Sequence, residues 1–309
     1  MAKRKPWIAA ALSLVTPGLG HLYVGRVRRA VSFFVLIWLV GLLAIALLLV
    51  LPPSAILLAA IALACVGVVV WITADAWQSA MAVGDHYTLR SYNRWYIYVI
   101  IVFAVGFLLQ PIFQSIVEAN LAKAYVVPSA SMEPTILPGD FLVVSKLPGA
   151  RRDLPRGDLA VFRSVDAAKR MQVKRIVGLP SDTIRMQDGV LFVNGQAVPE
   201  PYVQRPDLHN DYYDPAFDWQ REYVTGLDLP ASYHPTRDTW GPLVVPDGHY
   251  FILGDNRDHA SDSRYWGFLP HKNVQGRPAI IYYSYDREAT SLLPWLTAVR
   301  WRRVGDEPT

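Results

Sequence analysis

Two serines stand close together between prolines, at the point where the chain becomes more polar. The segment 125–135 reads Tyr-Val-Val-Pro-Ser-Ala-Ser-Met-Glu-Pro-Thr, with Ser129 and Ser131 between Pro128 and Pro134. A serine hydroxyl is a weak nucleophile until a neighbouring base takes its proton. The segment is therefore either the nucleophile segment of a hydrolase or an ordinary serine-rich loop, and its composition alone favours the loop.

A lysine in the segment 171–182, Met-Gln-Val-Lys-Arg-Ile-Val-Gly-Leu-Pro-Ser-Asp, could be that base. Strand alternation predicts that Lys174 and its neighbour Arg175 point to opposite faces. Lysine accepts a proton only when it is neutral, and burial lowers its pKa, whereas arginine stays charged. Val173 and Ile176 make such burial possible for Lys174. The alternative is a pair of solvated charges on an edge strand, since lysine is seldom buried.

A third segment, 248–267, carries a dense cluster of charges after a short apolar run. Its charged residues are Asp255, Arg257, Asp258, Asp262 and Arg264. Carboxylates at this spacing could bind a metal ion, but the two arginines among them favour internal ion pairs. We therefore expect no metal and no other cofactor.

Histidine is the competing base for a serine nucleophile. The chain contains seven histidines, and only His249 and His259 border the third segment. A histidine triad therefore stays open as the less favoured alternative.

Together the three segments resemble the bacterial type I signal peptidases, membrane-bound serine endopeptidases that remove signal peptides from exported proteins. The similarity extends from about residue 95 to 285, and the strings PSxSMxPT and GDNRD…DSRYWGF carry it. The resemblance implies that Ser131 is the nucleophile and Lys174 the general base. It also implies that the Ser129 hydroxyl joins the Ser131 backbone N–H in an oxyanion hole. Supporting contacts to this dyad would come from Asp255, Arg257, Ser261, Asp262 and Arg264.

The chain departs from the family pattern at three positions. Ala130 replaces the usual glycine between the two serines, and Ser181 replaces a glycine whose turn favours positive φ. A serine that orients the lysine in the family falls at Ala260, with Ser261 one position later. Either Ser261 supplies that hydroxyl through a shifted loop, or the contact is missing.

The elements that position these residues begin with a membrane region over residues 1–94. Of the whole chain, 52% is hydrophobic and only 18% is charged, which is more apolar than an average globular protein. Residues 30–51 and 55–74, followed by a third helix over 95–118, are long and apolar enough to span a bilayer. Residues 7–25 are interrupted by proline and glycine, and we expect them to be interfacial or re-entrant, with a full span as the less favoured alternative.

The positive charge of the chain is concentrated beside these apolar segments. Residues 1–94 hold eight Lys/Arg and two acidic residues, leaving 22 basic and 24 acidic residues in the remainder. The basic excess is therefore interpreted by the positive-inside rule, as charge that flanks membrane spans on the cytoplasmic side, and not as a sign of nucleic-acid binding. It predicts a cytoplasmic N-terminus, three spans and an outer location for everything after the third span.

From residue 119 onward the sequence predicts a soluble all-β domain. Short apolar runs such as 190–193 are separated by turn residues, and Asp188-Gly189 and Asn194-Gly195 are typical of hairpins. Residues 203–240 are polar, aromatic and poor in such runs, which indicates a small inserted subdomain. The predicted fold is therefore mainly β, with N-terminal transmembrane α-helices followed by a signal-peptidase-type β domain over 119–309.

The resemblance implies a complete functional hypothesis. The chain would cleave exported preproteins after small residues, at Ala-x-Ala sites, on the periplasmic face of the bacterial inner membrane. Its partners would be those preproteins and the lipid bilayer. The alternatives are a peptidase specialised for one exported substrate, and an inactive membrane-anchored scaffold of the same fold.

Overall fold

The computed structural model describes the whole chain except residues 1–3, 84–86, 153, 166–169, 206–210, 212 and 225–232. The chain divides into two compact units, Met1–Leu121 and Ala122–Thr309. This boundary lies close to the one that the sequence predicts between residues 118 and 119.

The first unit is helical. Its helices are α1 (Pro6–Val15), α2 (Leu19–Tyr23), α3 (Val27–Val50), α4 (Ala55–Val83) and α5 (Trp95–Asn120), with a 3₁₀ turn at Ser91–Asn93. Three of them, α3, α4 and α5, are long and apolar enough to cross a membrane. Helix α4 continues to Val83, well beyond the predicted end of its span at residue 74.

Helix α5 contains a local irregularity close to Pro111. A π-helical turn, Val105–Leu109, directly precedes Pro111. Proline has no N–H, and its ring clashes with the carbonyl group four residues earlier. The wider turn accommodates that clash without ending the helix.

Residues 7–25 form two short helices, α1 and α2, that pack on each other. A Cβ on Gly20 would lie 2.0 Å from the Ala9 carbonyl oxygen, so this close approach requires glycine. The α2 side chain of His21 reaches Asp75 on α4, at 2.8 Å. Since α1 has 10 residues and a helix rises about 1.5 Å per residue, α1 is too short to cross a hydrocarbon core. The interfacial or re-entrant location of this segment stays a prediction.

The second unit consists of short strands and a few single helical turns. The strands are β1 (Ala122–Val126), β2 (Asp140–Ser145), β3 (Leu159–Arg163), β4 (Met171–Gly178), β5 (Thr183–Gln187), β6 (Val190–Val193), β7 (Gln196–Ala197), β8 (Trp240–Val244), β9 (His249–Leu253), β10 (Leu269–Pro270) and β11 (Val274–Ser284). The α-helical turns are α6 (Gly149–Arg152), α7 (Ser263–Trp266) and α8 (Pro294–Thr297), and the 3₁₀ turns are Pro215–Glu222, Arg257–His259, His271–Asn273 and Trp301–Arg303.

These strands form two antiparallel sheets. The larger has the order β1-β2-β11-β3-β4-β9-β10, and the smaller has the order β7-β6-β5-β8. The prediction of a mainly β domain after N-terminal helices is therefore confirmed. Ser181, in the turn before β5, adopts a φ of 67° and so takes the left-handed conformation that the family assigns to glycine.

The predicted insertion lies between β7 and β8. Its described part contains the 3₁₀ helix Pro215–Glu222. Asp214 caps this helix, because its side chain accepts a hydrogen bond from the Ala216 N–H. Much of the rest, including 206–210 and 225–232, lies outside the described residues. That the insertion is a separate small subdomain stays a prediction.

Strand β4 lies inside the larger sheet, between β3 and β9. Apolar clusters pack against it on both faces: Leu159 and Val161 belong to one cluster, while Phe162 and Ile252 belong to another. Both Lys174 and Arg175 are therefore buried, each 3% exposed. The edge-strand alternative for these two charges is wrong because β4 has a neighbouring strand on each side.

Candidate active site

Ser131 lies in a tight turn directly after the extended segment that follows β1. Backbone hydrogen bonds from Glu133 N to Ala130 O and from Ile136 N to Met132 O close the turn. The side chains of Met132 and Ile136 are fully buried in the core beneath it. These two buried side chains anchor the turn and hold the Ser131 hydroxyl at the surface of the core. Ser131 as a whole residue is 8% exposed.

The amine of Lys174, on β4, forms a hydrogen bond with the Ser131 hydroxyl. The Nζ and Oγ atoms lie 2.5 Å apart, although 43 positions separate the residues in the chain. Burial lowers the pKa of Lys174 to about 8, from a usual value of 10.5. The nearby carboxylates of Asp262 and Asp255 oppose this change, and Arg264 reinforces it. A substantial fraction of the amine is therefore neutral in mildly alkaline solution, and only the neutral amine can accept a proton.

Ser129 lies on the same side as Ser131, two residues earlier. The two hydroxyl oxygens are 3.4 Å apart, and both residues line one open cleft. The structure therefore brings together the three residues to which the resemblance assigns chemistry: Ser129, Ser131 and Lys174.

The cleft has a volume of about 340 Å³ and runs between two lengths of extended chain. One wall is the segment Tyr125–Ser129, and the other is Arg170–Lys174. Met132, Leu142 and Val161 also line it, so its surface is largely apolar.

Asp255, the first carboxylate of the third segment, is completely buried and ion-paired. Arg175 donates from Nε to Oδ1 at 2.8 Å and from Nη2 to Oδ2 at 2.6 Å. Thr135 donates its hydroxyl hydrogen to Oδ2 at 2.6 Å. This carboxylate therefore links β4 to the turn that carries Ser131.

Asp262 and Arg264 form a second buried pair. Both side chains are 0% exposed, and Arg264 Nε donates to Asp262 Oδ1 at 2.9 Å. Asp262 Oδ2 accepts from the Gly254 N–H at 3.0 Å, and Arg264 Nη2 donates to the Arg257 carbonyl oxygen at 2.6 Å. The pair closes the 254–264 loop on itself and faces Lys174 with one negative and one positive charge.

Asn256, which was not among the site residues expected from the sequence, directly contacts the turn that carries Ser131. Its backbone N–H donates to the Ser131 carbonyl oxygen at 3.3 Å, and its side-chain amide donates to the Ala130 carbonyl oxygen at 3.2 Å. A Cβ on Gly254 would lie 2.6 Å from the same Ser131 oxygen. Asn256 lies between Asp255 and Arg257, two residues that were expected to support the site, and this position could have indicated its role.

Ser261 does not take the place of the missing serine at Ala260. Ser261 is exposed at the rim of the cleft. Among the described residues, the hydrogen bond of the Lys174 amine is the one to Ser131. Ala260 is buried, and its Cβ would be 2.3 Å from a Cβ on Gly254. The structure therefore shows no shift of the loop that would bring the Ser261 hydroxyl to the lysine.

The two candidate histidines have other hydrogen-bond partners, although His259 lines the cleft. His249 Nδ1 lies 2.9 Å from the Asp247 carbonyl oxygen, and His259 Nδ1 lies 3.3 Å from Asn256 Oδ1. Within the described part of the chain, neither histidine forms a hydrogen bond with Ser131. The same residues contain no group of three or more His, Cys, Asp or Glu side chains that could hold a metal ion.

Comparison with known proteins finds one family and several relatives. The model of the family described as "Signal peptidase, peptidase S26" matches residues 94–283. The chain is 34% identical over 221 residues to the signal peptidase I of Aquifex aeolicus, which covers 60% of this chain and 85% of that protein. It is 34% identical over 176 residues to the probable signal peptidase I-2 of Synechocystis, covering 55% and 67%.

A solved structure is also similar. It is the crystal structure of a signal peptidase I from Enterococcus faecalis, with 29% sequence identity and a TM-score of 0.28. The match covers 41% of this chain and 97% of that one.

Proposed function

The chain belongs to the S26 family of signal peptidases, and on that basis we propose that it cleaves signal peptides from exported preproteins with Ser131 as nucleophile and Lys174 as general base. The chain is thus a membrane-bound peptidase by family. The observation that carries the assignment of the dyad is the 2.5 Å separation between Lys174 Nζ and Ser131 Oγ.

The reaction begins with neutral Lys174. As Ser131 Oγ bonds to the scissile carbonyl carbon, Lys174 takes the hydroxyl proton and an electron pair moves onto the carbonyl oxygen. Collapse of this intermediate breaks the C–N bond, and Lys174 returns the proton to the leaving amine. Water then attacks the ester with Lys174 again as base, which releases the new carboxylate and restores the Ser131 hydroxyl.

The negative oxygen of the intermediate needs fixed hydrogen-bond donors. The Ser131 backbone N–H and the Ser129 hydroxyl are proposed for this role, because both lie at the cleft beside the attacking oxygen. Removal of one such donor costs about 2.7–4 kcal/mol in other hydrolases. The Asn256 contacts to the carbonyl groups of Ala130 and Ser131 support this role, since they orient the peptide units of the turn.

The proposed substrate is an extended segment with small side chains, of the Ala-x-Ala type. The wall Tyr125–Ser129 can pair with such a peptide as an added strand. In the chain, only residues 121–130 separate the end of α5 from Ser131, so a short linker tethers the site to a membrane helix. Tethering raises the local concentration of a substrate held in the same membrane by its own signal peptide.

The proposed location is the bacterial inner membrane, with the N-terminus inside and the second unit on the outer face. The basic residues on either side of α1 and α2 and before α5 support this orientation.

The test is cleavage of a preprotein with an Ala-x-Ala site by the full chain in detergent. Ser131→Ala should abolish cleavage, whereas Ser164→Ala should retain it. Ser164 is a matched control because it is similarly buried, at 5% against 8% exposure, and does not line the cleft. Turnover by the Ser131→Ala variant would overturn the assignment of the nucleophile.

A further inference from the structure

A segment between β7 and the insertion lies along the loop that supports the dyad. This segment, residues 200–204, is called the brace below. The Gln204 N–H donates to the Asp255 carbonyl oxygen at 2.8 Å, and the Arg257 N–H donates to the Gln204 carbonyl oxygen at 3.0 Å. Gln204 and Asn256 thus form a parallel β-bridge. The loop that contacts Ser131 is therefore held by backbone hydrogen bonds from a part of the chain outside the three motifs.

One side chain of the brace is an ion-pair partner. Glu200 accepts from both terminal nitrogens of Arg257, at 2.5 and 3.0 Å, and the two side chains are 8% and 1% exposed. A bidentate pair of this kind fixes orientation as well as distance. Arg257 also donates from Nε to the Gly254 carbonyl oxygen at 3.1 Å. Glu200 therefore explains why Arg257 can be buried beside the loop.

A second side chain of the brace covers the other arginine. The guanidinium carbon of Arg175 lies 3.8 Å from the centre of the Tyr202 ring. Burial and the neighbouring Glu200 raise the pKa of Tyr202, so its hydroxyl stays protonated and donates to Glu200 Oε1 at 3.3 Å. Tyr202 therefore holds Arg175 by a cation–π contact while Arg175 makes its two hydrogen bonds to Asp255.

This stacking matters for Lys174 because of the charges that face the lysine. Asp262 and Asp255 favour its protonated form, and Arg264 opposes that form. Asp262 is neutralised by its own pair with Arg264, whereas Asp255 is neutralised by Arg175. If Arg175 loses its hold, the negative charge of Asp255 acts on the lysine with less compensation.

We propose that Tyr202 and Glu200 are positioning residues. Tyr202 holds Arg175 against Asp255, and Glu200 holds Arg257 in the 254–257 loop. Together they keep Lys174 able to lose its proton. The proposal rests on the assignment of Lys174 as the general base. It adds that the proton affinity of Lys174 depends on two residues that neither line the cleft nor belong to the dyad.

The test is the pH dependence of kcat/KM for the full chain in detergent, with an Ala-x-Ala preprotein as substrate. In Tyr202→Leu the acid limb should move to higher pH, because a less compensated Asp255 raises the proton affinity of Lys174. The expected displacement is on the order of half a pH unit, because Arg175 loses its cation–π contact but keeps its two hydrogen bonds to Asp255. The plateau above the limb should change little, because neutral lysine is the same base in both proteins.

Two further variants provide the controls. Tyr202→Phe keeps the ring and should retain the wild-type profile. Phe192→Leu removes a similar contact, with Arg185 at 4.5 Å from the ring centre, on the smaller sheet, and it should leave the acid limb in place. Equal displacement in Phe192→Leu would show that general destabilisation is responsible.

Glu200→Gln tests the other side chain if Tyr202→Leu does not fold. It leaves an uncompensated Arg257 in the loop and should lower the plateau of kcat/KM with a smaller effect on KM, because the substrate cleft is untouched. The proposal is overturned if Tyr202→Leu folds and lowers only the plateau. It is also overturned if Tyr202→Leu and Glu200→Gln both fold and keep the wild-type profile. Absence of cleavage by the wild-type chain would instead refute the proposed function.

Discussion

The burial of Lys174 should make the protein less stable than it would be with an apolar residue at that position. The pKa falls from 10.5 to about 8 on folding. Each pKa unit corresponds to about 1.36 kcal/mol, so the protonated amine costs the folded state about 3 kcal/mol at neutral pH. Lys174→Met keeps the length of the side chain and removes the charge. It leaves the Ser131 hydroxyl without its partner, at a cost of about 1 kcal/mol.

The expected net result at pH 7 is an inactive variant that is about 2 kcal/mol more stable. For a domain of this size, 1 kcal/mol changes Tm by about 2–4 °C, so Tm should rise by about 4–8 °C. The advantage depends on pH with a definite sign. The unfolded chain binds the lysine proton more tightly than the folded chain, so wild-type stability rises relative to the variant between about pH 8 and 10.5.

The assay is thermal unfolding of the full chain in detergent, followed by near-ultraviolet circular dichroism at pH 7, 9 and 10.5. Ser131→Ala is the matched control, because it also removes the hydrogen bond but keeps the lysine, and it should show the pH dependence of the wild type. The reasoning is refuted if Lys174→Met is less stable than wild type at pH 7. It is equally refuted if the two proteins show the same pH dependence over the alkaline range.

Four other outcomes are expected. The wild-type kcat/KM should increase about tenfold per pH unit up to about pH 8, where Lys174 loses its proton; a limb centred near 10 would contradict the buried lysine. Ser131→Ala and Lys174→Ala should each abolish cleavage, and the double variant should be no worse, because the two act as a unit; strictly additive losses would argue against a dyad. Ser261→Ala should change kcat/KM by less than about twofold, as an exposed side chain does, and a tenfold loss would restore Ser261 as the partner of the lysine. Protease added outside spheroplasts should digest 122–309 and spare the loop at 26–29, whereas protection of 122–309 would reverse the proposed orientation.

The N-terminal unit shows how a local pattern can be explained only after folding. The string Pro-Gly-Leu-Gly-His-Leu-Tyr-Val-Gly over residues 17–25 has no local pattern that indicates a chemical role. In the structure Gly20 allows α2 to approach Ala9 on α1, and His21 pairs with Asp75 on α4. Both residues of the string therefore have a structural role, and the residues that they contact lie in other helices.

The sequence alone determined the features that depend on local composition. Long apolar runs predict helices α3, α4 and α5 because hydropathy is a property of consecutive residues. The turn pairs at residues 188–189 and 194–195 predict the hairpin around β6 for the same reason. The candidate residues Ser131 and Lys174 followed from motifs, since each motif is a continuous stretch of chain.

How those stretches come together depends on contacts between residues far apart in the chain. Strand β11 lies between β2 and β3 in the larger sheet, and no local pattern specifies such an order. That order makes β4 an interior strand, buries Lys174 and Arg175 together, and brings the lysine to 2.5 Å from Ser131. The contacts of Glu200 and Tyr202 were unpredictable for the same physical reason. A side chain's burial and electrostatic environment come from residues distant in the chain, and those environments set the proton affinity on which the proposed chemistry depends.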